Sequence, residues 1–449
     1  MFTQKTAKRI NTSFFMIAAL YMFGLLLPYA ISKPKVEDFA QLYMGAVMIQ
    51  QNQPQHLYPI PIPNDKQLNA GFYRGSHMNP QYKKLAAERN VADNNRYIYP
   101  PPVAVLALPF AYLSYPSARF VFQILLCIAA FLTAYYSAMI YQSISRDNPS
   151  PKNRWLSTLH QLAPGLLCFI LATSPLMLRG VRVGNVSLLI ACLITLIFYL
   201  YLQNRRVTAA ILIPLAGVAK ATSLPFILLA IPLKHFRLIL ISGIVTVLIL
   251  IATYPMLGSE PYHIFFKQIT PTLMEAATII QNHSVVNTIK KWAGLPSLPS
   301  SALTIITAIE WAIIFVTMAY IYKYRSKIRS SPLMIACAAT ILLNLHLIFR
   351  PLLWEHYAII SASSWALCAY YFIHTGSHMF RILCILPPII HWLPIVIVYR
   401  GRFAFYEPIH SQMLWGHLII ILIATIGLRM GTRSIDKNDV SEKKQARAY

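Results

Sequence analysis

In 449 residues the chain carries 39 Lys and Arg against 14 Asp and Glu, a formal charge of +25, yet only 12% of it is charged and 57% is hydrophobic. A mean hydropathy of +0.52 excludes a soluble globular protein of this size and points to an all-α polytopic membrane protein. The cations fall in short loops and tails rather than on one face. That distribution speaks for membrane orientation and contact with anionic lipids, and against nucleic acid as a partner.

The amino terminus, MFTQKTAKR, precedes an apolar run at 14–31. The run is too long for a signal peptide and lacks a clear small-residue cleavage site, so it is read as a retained first span. Next comes KPKVEDFAQLYMGAVMIQQNQPQHLY at 33–58, with the adjacent acids Glu37 and Asp38 where the chain should surface into water. The run after Asp38 puts Phe39, Leu42, Tyr43, Ala46 and Ile49 on one helical face, which predicts a helix lying along the bilayer surface. Asp38 fits an N-cap, with Gln41 three residues on completing a capping box. A cap also fixes a carboxylate at a helix start facing water, so the same residue can serve as a catalytic base.

Tyr97, Tyr99 and Pro100 to Pro102 then force an extended approach to the short apolar stretch 101–113. If that stretch crossed, the lysine-rich carboxyl tail would land outside. It is therefore read as re-entrant or interfacial. Further spans are expected near 117–142, 155–178, 185–203, 236–254, 301–322, 332–349, 356–374, 380–399 and 412–429. Two shorter apolar segments, 207–219 and 221–233, flank Lys220 and are bracketed by Arg205-Arg206 and by 234–237, the pattern of a hairpin with both feet cytoplasmic. A segment of about 13 residues rises about 20 Å against a hydrocarbon core of about 30 Å, so the Lys220 tip should stop inside the membrane.

The expected architecture is thus a single integral membrane domain over 1–449 with about twelve spans. A first outer loop occupies 32–116, a second large outer loop 255–300, and a cytoplasmic tail 430–449. Both termini are expected on the cytoplasmic side of the cell inner (plasma) membrane.

The six cysteines all lie in apolar segments without CxxC spacing, so neither disulfides nor a zinc site is expected. The sequences GxxxxGK[ST], GxGxxG, HExxH, GxSxG and DxD do not occur. Nucleotide-driven transport and the common hydrolase sites lack support, and no metal or other cofactor is expected. The outer-side polar residues form a small set: Asp38, Arg179, Arg182 and Asn185, Lys220, Asn282 and His283, then Arg350, Glu355 and His356. One carboxylate among several cations suits sugar transfer from a lipid phosphate. A base takes the acceptor hydroxyl proton, while the phosphate departs unprotonated and needs cations such as Lys220, Arg350 and His356. An ionisable residue at membrane depth by default marks a site, which singles out Lys220.

Taken together, the ordered motifs DFAQLY with HLY, YIYPPPVAVLALPFAYL, GNVSLL, AGVAKATSLPFILL before KHFR, NHSVVN and RPLLWEHYAII resemble glycosyltransferase family 87. These are polyprenyl-phosphate-mannose-dependent mannosyltransferases of the GT-C superfamily. The resemblance implies a GT-C-type fold, a site on the non-cytoplasmic side, a polyprenyl-phosphate sugar donor, a lipid or glycan acceptor, and inversion at the anomeric carbon. It maps the base to Asp38, the lysine before the proline to Lys220, and a Trp-x-His to Trp354 and His356. Tyr43, Tyr99, Asn185, Arg182, Asn282, His283, Glu37 and Glu355 join them as further site candidates. The sequence departs from the family pattern where Asn185 replaces Gln and where Tyr357 replaces a second histidine. The rival readings are a flippase for a lipid-linked saccharide, which should show two repeats with mid-span charges, and a membrane scaffold, in which Asp38 would be replaceable. Glu310, beside Trp311 within an expected span, has no assigned role.

Overall fold

The computed structural model describes residues 3–32, 37–58, 80–91, 97–146, 150–270, 282–295, 298–350, 353, 355–392 and 412–446. The chain opens with α1 (Gln4–Leu20) and α2 (Leu27–Ser32), joined by the π-helical turn Tyr21–Leu26. There follow α3 (Glu37–Gln50), α4 (Pro80–Glu88) and the broken pair α5 (Pro101–Leu106) and α6 (Leu108–Ala111). Next are α7 (Tyr115–Ser145), α8 (Arg154–Ala172), α9 (Pro175–Val183), α10 (Ser187–Leu202), α11 (Arg206–Ala219) and α12 (Leu224–Ala230). The order is completed by α13 (Phe236–Leu257), α14 (Glu260–Ile264), α15 (Val285–Trp292), α16 (Ser300–Lys323), α17 (Arg325–Ser330), α18 (Pro332–Phe349), α19 (Ala362–His374), α20 (His378–Trp392) and α21 (Gln412–Ala446).

Among the described residues, seven helices are long and apolar enough to cross a membrane: Gln4–Ser32, Tyr115–Ser145, Arg154–Ala172, Phe236–Leu257, Ser300–Lys323, Pro332–Phe349 and Met413–Thr432. Shorter apolar helices stand at Ser187–Leu202, Arg206–Ala219, Ala221–Ala230 and His378–His391. The chain is a multi-pass, all-helical membrane protein, with the expected spans divided between full-length and shorter helices. The stretch 155–178 is not one span. Pro175 has no N–H with which to continue the ladder, so α8 stops at Ala172 and α9 starts afresh with Ser174 as its cap. Stretch 356–374 likewise begins as the 3-10 helix Glu355–Ser361 before α19. The helices α5 and α6, of 6 and 4 residues, are too short to cross, as expected for 101–113.

The expected one-sided stripe on α3 is a different matter. Every residue from Phe39 to Ile49 is buried, and Gln41 itself is only 8% exposed. The helix is covered on all sides because α5, α6 and α4 fold over the face that its sequence would leave to headgroups. Gly45 is needed there, since a Cβ would lie 2.5 Å from the Tyr97 ring.

Small residues let the central helices approach closely. Ala118, Ala130, Ala134 and Ala138 of α7 are fully buried where it packs between α8, α10 and α19. Buried amide N–H groups between these helices find acceptors, since a bilayer offers no water to take their place. Gln123 donates to the Ala30 carbonyl at 3.1 Å, and Asn344 donates to the Thr340 carbonyl and to Ser364 Oγ. At the periphery, only 6% of the apolar window of Ser300–Lys323 is buried, against 78% for Pro332–Phe349, so α16 presents its side chains to lipid.

Basic residues gather at one end of the bundle. Tyr201 Oη lies 2.6 Å from His235 Nδ1, Gln203 Nε2 donates to Ser143 Oγ at 2.7 Å, and Lys234 sits 5.8 Å above the Tyr322 ring. These contacts bring Arg205, Arg206, Lys234 and the α17 cations together. Tyr320 Oη, 2.9 Å from Thr432 Oγ1, carries the late part of α21 to the same end. Helix α1 runs alongside α8, with Asn11 accepting from the Gly165 N–H at 3.0 Å and donating to the Gln161 carbonyl at 2.8 Å. The hairpin expected around Lys220 is present. Ser223 Oγ donates across it to the Ile213 carbonyl at 2.8 Å, and its feet, Arg206 and His235, face each other. Lys220 lies at the tip, away from the basic end.

Candidate functional site

Asp38 sits in the first turn of α3, where unpaired backbone N–H groups favour a carboxylate. The helix begins at Glu37, so Asp38 lies inside it rather than at its cap. Gln41 turns its side chain to Asp38, with Nε2 at 3.5 Å from Oδ1. The firmer contact comes from far along the chain: Asn185 Nδ2 donates to Asp38 Oδ2 at 2.5 Å.

Asn185 is delivered by the end of α9. Gly184 closes that helix at φ 69° and ψ 33°, a left-handed conformation that costs a residue with a Cβ about 1–2 kcal/mol. Asn185 then begins a new turn, its Oδ1 accepting from the Ser187 N–H at 2.7 Å. Ser187 opens α10, and its Oγ accepts from Lys220 Nζ at 2.8 Å. Asp38, Asn185, Ser187 and Lys220, drawn from three separate stretches, therefore form one connected run of side chains. Asp38 acts electrostatically on Lys220, as does Arg350.

Lys220 has extended backbone, φ −155° and ψ 128°, between α11 and the 3-10 turn Ala221–Ser223. Its Nζ lies 3.7 Å from the centre of the Tyr357 ring, a cation–π contact. Arg350 ends α18 and feels both Tyr357 and Glu310. Glu310 on α16 thus gains a partner that its place in the sequence concealed. His346 Nε2, one turn before Arg350, lies 2.8 Å from the Ala221 carbonyl and 3.2 Å from Arg350 Nε. An Nε2–H donating to that carbonyl anchors the tip of the hairpin to α18.

Tyr99 closes the other side. Its phenol is buried and acted on by Asp38, Tyr357 and Tyr97. Burial pushes its pKa well above the ordinary tyrosine value, and Asp38 pushes it further, so it stays neutral and able to donate. The stretch is held by Tyr58 Oη donating to the Tyr99 carbonyl at 2.7 Å and by Tyr97 Oη donating to the Pro100 carbonyl at 2.9 Å.

Not every candidate joins this group. Tyr43 points into the core and donates to the Leu113 carbonyl at 2.9 Å, its ring tilted against those of Phe39 and Tyr115. Arg182 turns to Tyr29, 5.3 Å from its ring centre. Asn282 and His283 serve a backbone clasp: Asn282 Oδ1 accepts from the Leu353 N–H at 3.0 Å, and the His283 N–H donates to the Leu353 carbonyl at 2.8 Å. This fastens NHSVVN to RPLLWEHY, while the His283 ring faces His417 in a second buried group with His391. Trp354 and the side chains of Glu37, Glu355 and His356 lie outside the described residues. Ser187 was missed in the sequence, although its place two residues after Asn185 in GNVSLL is the spacing of an Asx turn.

Among the described residues no three His, Cys, Asp or Glu side chains group as metal ligands. A carboxylate and a buried ammonium joined through an amide and a hydroxyl can take a proton on one side and hold an anion on the other. A search of curated proteins finds no match. The sequence profile of glycosyltransferase family 87 matches residues 97–351, more than half of the chain, a stretch that holds Tyr99, Asn185, Ser187, Lys220, Glu310 and Arg350 and begins after Asp38. The chain is therefore a member of glycosyltransferase family 87, a membrane glycosyltransferase.

Proposed function

We propose that the protein transfers a hexose, mannose in the first instance, from a polyprenyl-phosphate donor to a hydroxyl of a lipid or glycan acceptor on the non-cytoplasmic side of the cell membrane. Asp38 removes the acceptor proton as the acceptor oxygen attacks the anomeric carbon. The bond from that carbon to the phosphate oxygen breaks, the configuration inverts, and polyprenyl phosphate departs with the electron pair. Lys220 and Arg350 carry the phosphate charge, joined by His356, which follows Arg350 closely in the sequence. In a site with little water such cations stabilise the departing charge far more than they would in bulk solvent. Tyr99, kept neutral by its surroundings, can donate to a sugar or phosphate oxygen.

The observation that carries this reading is the joining of Asp38 to Lys220 through Asn185 and Ser187. A single carboxylate next to a cation is what phosphate departure requires. Hydrolysis of a glycoside, by contrast, needs an acid as well as a base.

The test uses purified protein in detergent with EDTA, radiolabelled polyprenyl-phosphate mannose as donor, and a lipid and glycan extract of the source membranes as acceptor. Label should move into the extract. Asp38→Asn should cut turnover at least ~100-fold while leaving Tm nearly unchanged. Equal turnover with GDP-mannose, loss of activity restored by Mg2+, or retained turnover in Asp38→Asn would overturn the mechanism.

A further inference from the structure

The turn between α9 and α10 makes contacts that neither helix needs for its own closure. Asn185 is only 4% exposed and has both ends of its amide engaged. Because Oδ1 accepts from the Ser187 N–H at 2.7 Å, the orientation of the amide is fixed and its Nδ2 must face Asp38. The same Ser187 presents Oγ to Lys220 at 2.8 Å. Gly184, in its left-handed conformation, supplies the change of direction that aims Asn185 at α3.

We propose that Asn185 is the positioning residue of this enzyme: it holds Oδ2 of Asp38 and, through Ser187, keeps the base and the phosphate-binding ammonium at a fixed separation. The proposal rests on the reading of Asp38 as base and Lys220 as phosphate ligand, and it assigns to the α9–α10 turn the geometry between them. Lys220 approaches from a hairpin tip and Asp38 from a helix start far away in the chain. Neither element packs extensively on the other, so a third element must set their distance. A displacement of the base by about 1 Å costs on the order of 100-fold in rate.

The amide does a second thing. A donor to a carboxylate favours its charged form, so removing the donor raises its affinity for protons and moves the acid limb of the pH profile upward. Lys220 from the hairpin and Tyr99 from the stretch before α5 act on Asp38, Glu37 precedes it in the chain, and α9, which packs against α3, carries Arg179 and Arg182. All are retained in the Asn185 variants below, so a shift in Asn185→Ala or Asn185→Asp traces to position 185.

The experiment compares Asn185→Ala, Asn185→Gln, Asn185→Asp and Ser187→Ala in the full-length protein with the polyprenyl-phosphate mannose assay, recording kcat and donor KM against pH, and Tm. Asn185→Ala should lose about 100-fold in kcat near neutrality with donor KM changed less than about 3-fold. Its acid limb should move up by about one pH unit. Asn185→Gln keeps an amide donor and should bring the limb back toward wild type. Asn185→Asp is isosteric and settles the matter if the alanine variant folds poorly. Two adjacent carboxylates share a proton, so its limb should move further still. Ser187→Ala should raise donor KM instead. An acid limb unmoved in Asn185→Asp, or in a folded Asn185→Ala, overturns the proposal when Asp38→Asn is inactive; if Asp38→Asn is itself active, the base reading falls and this one with it.

Discussion

Lys220 shows how much a single residue can imply in an apolar chain. An ammonium between two short hydrophobic helices is costly, and here it is satisfied by Ser187 Oγ at 2.8 Å and the Tyr357 ring at 3.7 Å. An ammonium has three N–H donors, so these two contacts leave it capable of binding a phosphate oxygen as well. Lys220→Met keeps length and apolar volume and removes the charge. It should raise donor KM and cut turnover by about 100-fold or more, measured as initial rates against donor concentration. Donor affinity and turnover both matching wild type would make the lysine structural. Asp38 and Lys220 were legible in the sequence because ionisable residues are rare there and stand out. Their connection was not, since Asn185 and Ser187 are ordinary polar residues whose importance comes from a contact between distant stretches. Glu310 was visible as an anomaly but its facing residue, Arg350, belongs to another helix. Tyr43 looked like a site residue from its place in DFAQLY, yet its hydroxyl is spent on the Leu113 carbonyl.

At the scale of elements, the hairpin of α11 and α12 holds Lys220, the cation of the candidate site, at its tip and a titratable residue at its foot. His235 stands in the turn before α13, its Nδ1 2.6 Å from Tyr201 Oη. Burial lowers its pKa to about 4, with Arg206 and Arg329 adding repulsion. The folded state therefore binds fewer protons than the unfolded one between that value and about 6.5. Its contribution is intact above about pH 6.5 and is lost as pH falls toward 4. The Tm of the wild type should drop across this window, and His235→Gln should flatten the drop while leaving Tm at pH 8 little changed. An identical pH dependence in the two proteins would show that His235 does not contribute. The hairpin itself could be foreseen from segment length and bracketing cations. The breaks before α9 and α19 and the full covering of α3 could not, because hydropathy reports how apolar a segment is and not which neighbours fold over it.

For the whole molecule, the arrangement of charge makes a statement about sidedness. Arg205, Arg206, Lys234 and the cations of α17 share one end with the start of α1 and the late part of α21, through contacts such as Tyr320 with Thr432 and Asn11 with Gly165. Asp38, Asn185 and the Lys220 tip lie toward the other end. Clusters of Lys and Arg in short loops tend to mark the cytoplasmic face, and on that rule we propose that the candidate site faces outward. The proposal includes both termini on the basic side, as expected if 101–113 does not cross. In a background with the six native cysteines replaced, a single cysteine at exposed Gln55, in the stretch leading to Tyr58, should react with an impermeant thiol reagent added to intact cells. One at exposed Ser326, on α17, should react only after the membrane is opened. Both positions are accessible in the folded protein, so silence at either reports sidedness rather than burial. Labelling of Ser326 but not Gln55 in intact cells would invert the protein in the membrane and place Asp38 on the cytoplasmic side. A donor presented from outside would then be out of its reach.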